Sequence, residues 1–191
     1  MAMRDSGAPF ETRPTSARAA TSRSDRALPF RSTKRPTASP MAASVVRAFS
    51  NRSYTEPERN IGRLAANRAY EIAGLGPQDM HVAEVHDAAA MGEIIQSENL
   101  GFVPLGDGGP AAERGDFALG GRLPINPSGG LESKGHPLGA TGIGQLYELV
   151  TQLRGEAGAR QVPGARNAIQ ENGGGMVGVE EAAVAVHILS R

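Results

Sequence analysis

Apolar residues are scarce and irregular over the first 53 positions, and a regular period begins only at residue 61. There Ile61, Leu64, Ala65, Ala69 and Ile72 recur at helical spacing, with Gly74 placed as a stop. Leu75 to Asp79 is turn chemistry, and Met80 to Val85 is short, bounded and partly β-branched, which predicts a strand. Asp87 is then placed to cap a helix running to about Gln96. Gly101 to Gly121, rich in Gly, Pro and acidic residues, reads as a long excursion, of the kind that is usually functional or poorly ordered. Ile143, Leu146, Tyr147, Val150 and Leu153 share one helical face, so this helix is expected to be the best buried in the chain and Tyr147 to be a core residue. Ala165 to Gln170 and Ala182 to Leu189 read as two strands separated by the glycine-rich Asn172–Gly175. The order strand, helix, excursion, helix, strand, strand predicts an α/β fold, a mixed sheet with helices packed on at least one face.

Composition divides the chain differently from its length. The formal charge of zero is the sum of unlike parts: residues 1–53 carry ten Lys/Arg against Asp5, Glu11 and Asp25, and the remainder carries ten against seventeen. Residues 1–60 are therefore expected to be a disordered basic leader, and 61–191 the folded domain. The leader is Arg- and Ser-rich, as organelle transit peptides are, but no apolar face repeats along it, so a cytoplasmic location is expected. The body gives no electrostatic case for nucleic acid, and no apolar run is long enough to span a bilayer. With no cysteine there is neither a disulfide framework nor a thiolate metal site. His81, His86, His136 and His187 show no ligand spacing, so no metal is expected.

Three segments at element ends carry the candidate chemistry: Glu84-Val-His86-Asp87, Gly135-His136-Pro137 and Asn172-Gly173-Gly174-Gly175. An imidazole titrates near neutrality and can accept and return a proton. Two imidazoles beside a glycine turn with free amides suit acyl chemistry with an oxyanion held by donors. His136 is fixed between a glycine and a proline, which has little packing logic of its own, whereas His81 and His187 have no motif and are assigned to packing. Gly129 and Gly130 are expected to permit a close approach or a positive φ, and Lys134 to be solvated.

Residues 61–191 resemble the C-terminal half of a thiolase, in particular the sterol-carrier-protein type and its bacterial and archaeal relatives. The resemblance rests on Ala83-Glu-Val-His-Asp87, Asn126-Pro-Ser-Gly-Gly130, Lys134-Gly-His-Pro-Leu-Gly-Ala-Thr-Gly142, Gln152 to Val162 and Gln170 to Leu189. It implies a substrate that is a coenzyme A thioester, with no permanently bound cofactor. It also implies an N-terminal half or homologous subunit that supplies a nucleophilic cysteine, in a homo- or hetero-oligomer. His136 would activate that cysteine and help hold the thioester oxygen, and His86 would organise the second oxyanion site. Asn172, Gly173 and Gly174 would form the last catalytic loop, with Asn126, Gly135 and Pro137 supporting the motifs. Relatives of this type usually carry a cysteine and an aromatic after the His-Asp pair; this chain has Ala88 and Ala89. Two alternatives to an acyltransferase half follow: a carbon–carbon lyase subunit acting on coenzyme A esters beside a small acyl-CoA-binding partner, and a non-catalytic assembly domain.

Overall fold

A computed structural model describes residues 43–48, 59–177 and 180–191. Most of the basic leader therefore lies outside the described residues. Among the described residues the strands and α-helices follow in the order β1 (Ala43–Ala48), α1 (Ile61–Ala73), β2 (Val82–Glu84), α2 (Ala90–Asn99), α3 (Gly108–Glu113), α4 (Gly130–Lys134), α5 (Thr141–Arg154), β3 (Asn167–Val177) and β4 (Glu180–Ser190). The strands form one mixed sheet in the order β1-β4-β3-β2, with β2 parallel to β3 and the other two pairings antiparallel.

Side chains alternate across this sheet with a period of two, and both faces are covered. Ala83, Ile169 and Ile188 join the core under α1, where Ile61, Ala65, Ala66, Ala69 and Tyr70 pack. Their sequence neighbours Val82, Ala168 and Leu189 join the second core under α5, with Leu149 and Leu153. The predicted first helix appears where its period placed it. Asn60 caps it by accepting from the amides of Gly62 (2.9 Å) and Arg63 (3.2 Å), and Gly74 ends it at φ 65°.

Four expectations are corrected. The leader is not structureless throughout: Ala43–Ala48 forms an edge strand pairing Ala43 with Ile188 through to Ala48 with Ala183. Its hydrogen bonds and the cover over Val45 come from β4 and the α1 core, about 140 residues and 20 residues away in sequence, so no local period announces it. Asp87 does not cap α2, whose N-cap position is Ala89 and which has no side-chain cap. Its Oδ1 instead accepts from the Leu131 amide in the first turn of α4, at 2.7 Å. The Gly101–Gly121 excursion is packed rather than loose: it contains α3 and buries Phe102, Ala111 and Phe117 in the larger core.

The face of α5 is the fourth. Ile143 and Tyr147 are 69% and 71% exposed, while Gln145, Glu148 and Gln152 are buried with Leu149 and Leu153. The buried polar groups are all paired. Gln145 donates to the Glu171 carbonyl (3.1 Å), and Gln152 donates to Glu148 (3.0 Å) and the Arg160 carbonyl (2.7 Å) while accepting from the Val162 amide (2.8 Å). Such pairing removes the penalty that would otherwise keep these side chains outside.

Candidate active site

The parallel strand β2 ends at Glu84, and the next two residues are held by side chains from two other segments while the third holds another. Asn126 Oδ1 accepts from the Val85 amide (2.8 Å), Glu171 Oε2 accepts from the His86 amide (3.0 Å), and Asp87 holds α4. Asn126 adopts a positive φ of 50°, and its own amide donates to the Ala83 carbonyl at 2.8 Å, so it ties the end of β2 to the loop before α4. Glu84 is fully buried below this junction, accepting from the Ser128 hydroxyl (2.8 Å) and amide (3.1 Å) with the Lys134 ammonium 3.7 Å away. Lys134 is thus partnered rather than simply solvated.

His136 reaches the same place from the other side. α4 stops at Gly135, whose φ of 81° turns the chain, and Pro137 leads into α5. The rings of His86 and His136 meet edge to face, with centroids 4.8 Å apart and planes at 86°. His86 Nδ1 lies 3.3 Å from Asn172 Oδ1, and His136 Nδ1 lies 2.7 Å from Thr141 Oγ1. Burial lowers the His86 pKa, more than the Asn172 contact raises it, and so favours the neutral ring. Two imidazoles in contact are equipped to accept a proton and to donate to a developing oxyanion. Among the described residues, no group of three His, Asp or Glu is arranged to hold a metal.

The family described as thiolase C-terminal domain-like matches residues 42–191. This chain belongs to that family. Sterol carrier protein 2 of Rattus norvegicus is 55% identical over 113 residues, 59% of this chain and 21% of that protein. Acetyl-CoA acetyltransferase of Methanothermobacter thermautotrophicus is 46% identical over 154 residues, 81% of this chain and 39% of that one. Among solved structures, the Ltp2-ChsH2(DUF35) aldolase superposes with a TM-score of 0.62 at 25% identity, covering 78% of this chain and 38% of that one. This chain thus spans well under half the length of each of these relatives.

In this thiolase C-terminal domain the three predicted segments converge through His86, His136 and the Asn172 side chain. The glycine run is not the loop it was expected to be. Asn172, Gly173 and Gly174 lie inside β3, in register with Ala185, Val184 and Ala183 of β4, and only Gly175, at φ 68°, leaves the strand conformation. At Gly173 the absence of a side chain permits a close approach: a Cβ there would fall 2.6 Å from Glu181 Cγ. Asn126 and Gly135 support the site as bracing and turn. His81 and His187 follow the packing assignment, with His81 Nδ1 accepting from the Asn167 amide (3.3 Å) and His187 Nδ1 against Gln170 Oε1 (2.5 Å).

Sequence reasoning missed Glu171 and Thr141. Glu171 is completely buried in a Val- and Ala-rich hairpin, and a charged residue at a sheltered strand position was the available signal. Burial, then Glu181, pushes its carboxyl from the usual 4.5 to about 8, against the His86 amide hydrogen bond. Burial likewise raises Glu84 to about 7. Both carboxyls bind a proton more tightly folded than unfolded, so the stability they contribute is fully present below pH 4.5 and is lost as pH rises through 7 and 8. We expect the melting temperature of the chain to fall between about pH 5 and about pH 9, and Glu171→Gln to flatten that decline. Circular dichroism melts across the range would check it, and an unchanged slope in the variant would remove Glu171 as the cause.

Proposed function

We propose that this chain is the C-terminal part of a thiolase-type acyltransferase acting on acyl-CoA thioesters, active only when paired with an N-terminal half that brings a nucleophilic cysteine. The contact between the His86 and His136 rings carries this reading, since it unites the two motif histidines from segments 50 residues apart. The thiolase family uses coenzyme A thioesters, and the two imidazoles supply the proton acceptor and oxyanion donor such chemistry needs. These 191 residues contain no cysteine, so the acyl-accepting thiol lies outside them. The full chain alone is therefore expected to give no thiolysis of acetoacetyl-CoA, and turnover is expected on adding a separately expressed N-terminal thiolase half. Sustained thiolysis by the chain alone would overturn the proposal.

The surface beside the site supports a partner of this kind. Leu138 is 84% exposed and stands between His136 and α5, whose outer face presents Ile143 and Tyr147. Met91 and Ile95 form a matching exposed pair on α2, which begins just after His86-Asp87. Apolar side chains gathered around a polar site mark a contact surface rather than a packing fault. Replacing both Ile143 and Tyr147 by glutamate should shift stability by no more than about 0.5 kcal/mol, as for exposed positions generally. The same double variant should weaken association with the N-terminal half by roughly 30-fold or more, as for loss of interface anchors. Titration calorimetry with thermal melts separates the two effects.

A second reading has its own support. Ala88 and Ala89 offer no proton donor beside His86, and one solved structure similar to this chain is an aldolase. Retro-aldol cleavage of a β-hydroxyacyl-CoA needs a base and an oxyanion site but no acyl-cysteine. Cleavage of such an ester by the paired chain, without thiolysis, would favour this lyase over the acyltransferase. Assembly without either activity would leave the domain an architectural one.

A further inference from the structure

Residues 132–140, the run that carries His136, are exposed from end to end, so no buried apolar side chain anchors it. The helix that leads into the run, α4, is five residues long and has no side-chain cap, too short to hold its own shape. Gly135 and Pro137 shape the turn, and Thr141 Oγ1 meets the His136 ring at 2.7 Å from the side of α5. None of these fixes where the turn stands against β2, from whose end His86 extends. Lys134 makes that connection. An ammonium only donates, so its short contact with Ser128 Oγ makes that oxygen an acceptor, as does the Gly130 amide at 3.3 Å. The one hydroxyl hydrogen goes to Glu84 Oε2 at 2.8 Å, and the ammonium lies 3.7 Å from the same carboxyl oxygen. Glu84 Oε1 accepts from the Ser128 amide at 3.1 Å, and the carboxyl is fully buried at the last residue of β2.

We propose that Lys134 is a positioning residue whose ammonium, through Ser128 and Glu84, fastens the His136 turn to the end of β2 and so sets the contact between the His136 and His86 rings. The two ends of this clamp are placed alike: Glu84 precedes His86 by two residues, and Lys134 precedes His136 by two. The rings they carry meet with centroids 4.8 Å apart.

Composition bears on the choice of cation. Lys134 is the single lysine of residues 54–191, whose other cationic residues are all arginine. A guanidinium favours both oxygens of a carboxylate at once, and Glu84 Oε1 is already held by the Ser128 amide. An ammonium is a compact point charge with three donors, and it fits a site that offers one hydroxyl oxygen and one side of a carboxylate. The Lys134 side chain is also 40% exposed while Glu84 is not exposed at all, so the cation can be altered from solvent without opening the core.

The proposal rests on reading His86 and His136 as the reacting pair, but its test does not need turnover. Because the chain holds no cysteine, Lys134→Cys introduces a single thiol that can be alkylated selectively. Its thiolate displaces bromide from 2-bromoethylamine to give a thioether bearing an ammonium at nearly the length of lysine, or iodide from iodoacetamide to give a neutral amide. The readout is the nuclear Overhauser effect between the ring protons of His86 and His136 in the full chain labelled at histidine, with single His→Gln variants assigning the four rings. The effect is expected in the unaltered chain, lost in Lys134→Cys and in its amide form, and restored by aminoethylation. The melting temperature is expected to stay within about 4 °C throughout, since a partly exposed ion pair contributes little to stability. In the paired protein kcat is expected to fall and recover in the same order, by about 10-fold or more, as for a displaced reacting group. A ring-to-ring effect that is absent from the unaltered chain, survives in the neutral forms, or fails to return with the ammonium overturns the proposal. A much larger fall in melting temperature also overturns it, because Lys134 would then serve the fold rather than the ring contact. If the paired protein is inactive in every form while the ring contact follows the charge, the proposed function fails and the positioning role stands.

Discussion

Replacing His136 by alanine in the chain paired with its N-terminal half is expected to lower kcat by about 10²- to 10⁴-fold, the usual contribution of a positioned acid–base side chain. The fold should survive. The imidazole is on the exposed side of its turn, and the turn itself is set by Gly135 at φ 81° and by Pro137, neither of which the substitution touches. Removing this ring leaves His86 without its edge-to-face neighbour and Thr141 Oγ1 without its ring partner, so the lost rate comes from chemistry rather than from packing. Single-turnover kinetics beside a thermal melt of the same protein would check both halves of this expectation. An unchanged kcat would remove His136 from the chemistry of both the acyltransferase and the lyase reading.

The largest stability effect is expected from Gly130→Ala. Gly130 sits at φ 64°, and an added Cβ would fall 1.9 Å from Asp87 Oδ2 and 2.7 Å from its Cγ. Asp87 cannot retreat without releasing the Leu131 amide that it holds at 2.7 Å. Backbone strain at a positive φ of about 1–2 kcal/mol then adds to the loss of a buried charge-assisted hydrogen bond of about 1.5–3 kcal/mol. The total of about 2.5–5 kcal/mol corresponds to a fall of roughly 10 °C in melting temperature for a domain of this size. Gly74→Ala is the control. It has nearly the same φ, 65°, with nothing within 4 Å of an added Cβ, so it should cost only the backbone part, about 1–2 kcal/mol. Equal losses in the two variants would show that Asp87 does not restrain the site.

The comparison between Gly130 and Gly74 also marks the limit of what local sequence conveys. Gly74 reads as a helix stop and Gly130 as a site of close approach or positive φ, and Gly74 needed nothing more, because its role ends the helix that its own neighbours build. Gly130 is glycine because of a carboxylate 43 residues earlier in the chain. The same distance separates Asp87 from its apparent and its real function. Beside an apolar run it looks like the cap of α2, and only the folded chain brings the Leu131 amide to it. Glu171 repeats the case: its partner is the His86 amide, 85 residues away.

The sequence by itself determined the elements whose signal is periodic and local, namely α1 between Asn60 and Gly74, the span of α5, and the apolar hairpin strands near the C-terminus. It also determined the family, through short motifs in a fixed order, and the two histidines at element ends. The tertiary structure decided everything that depends on a partner distant in the chain. It recruited Ala43–Ala48 to the sheet edge, drew the glycine run into β3, and turned α5 so that Gln145, Glu148 and Gln152 face inward while Ile143 and Tyr147 face out. The physical reason is the same in each instance. Helical and strand periods are written by neighbours within a few residues. A buried polar group is tolerated only where another segment satisfies it, and that segment is known only once the chain has folded.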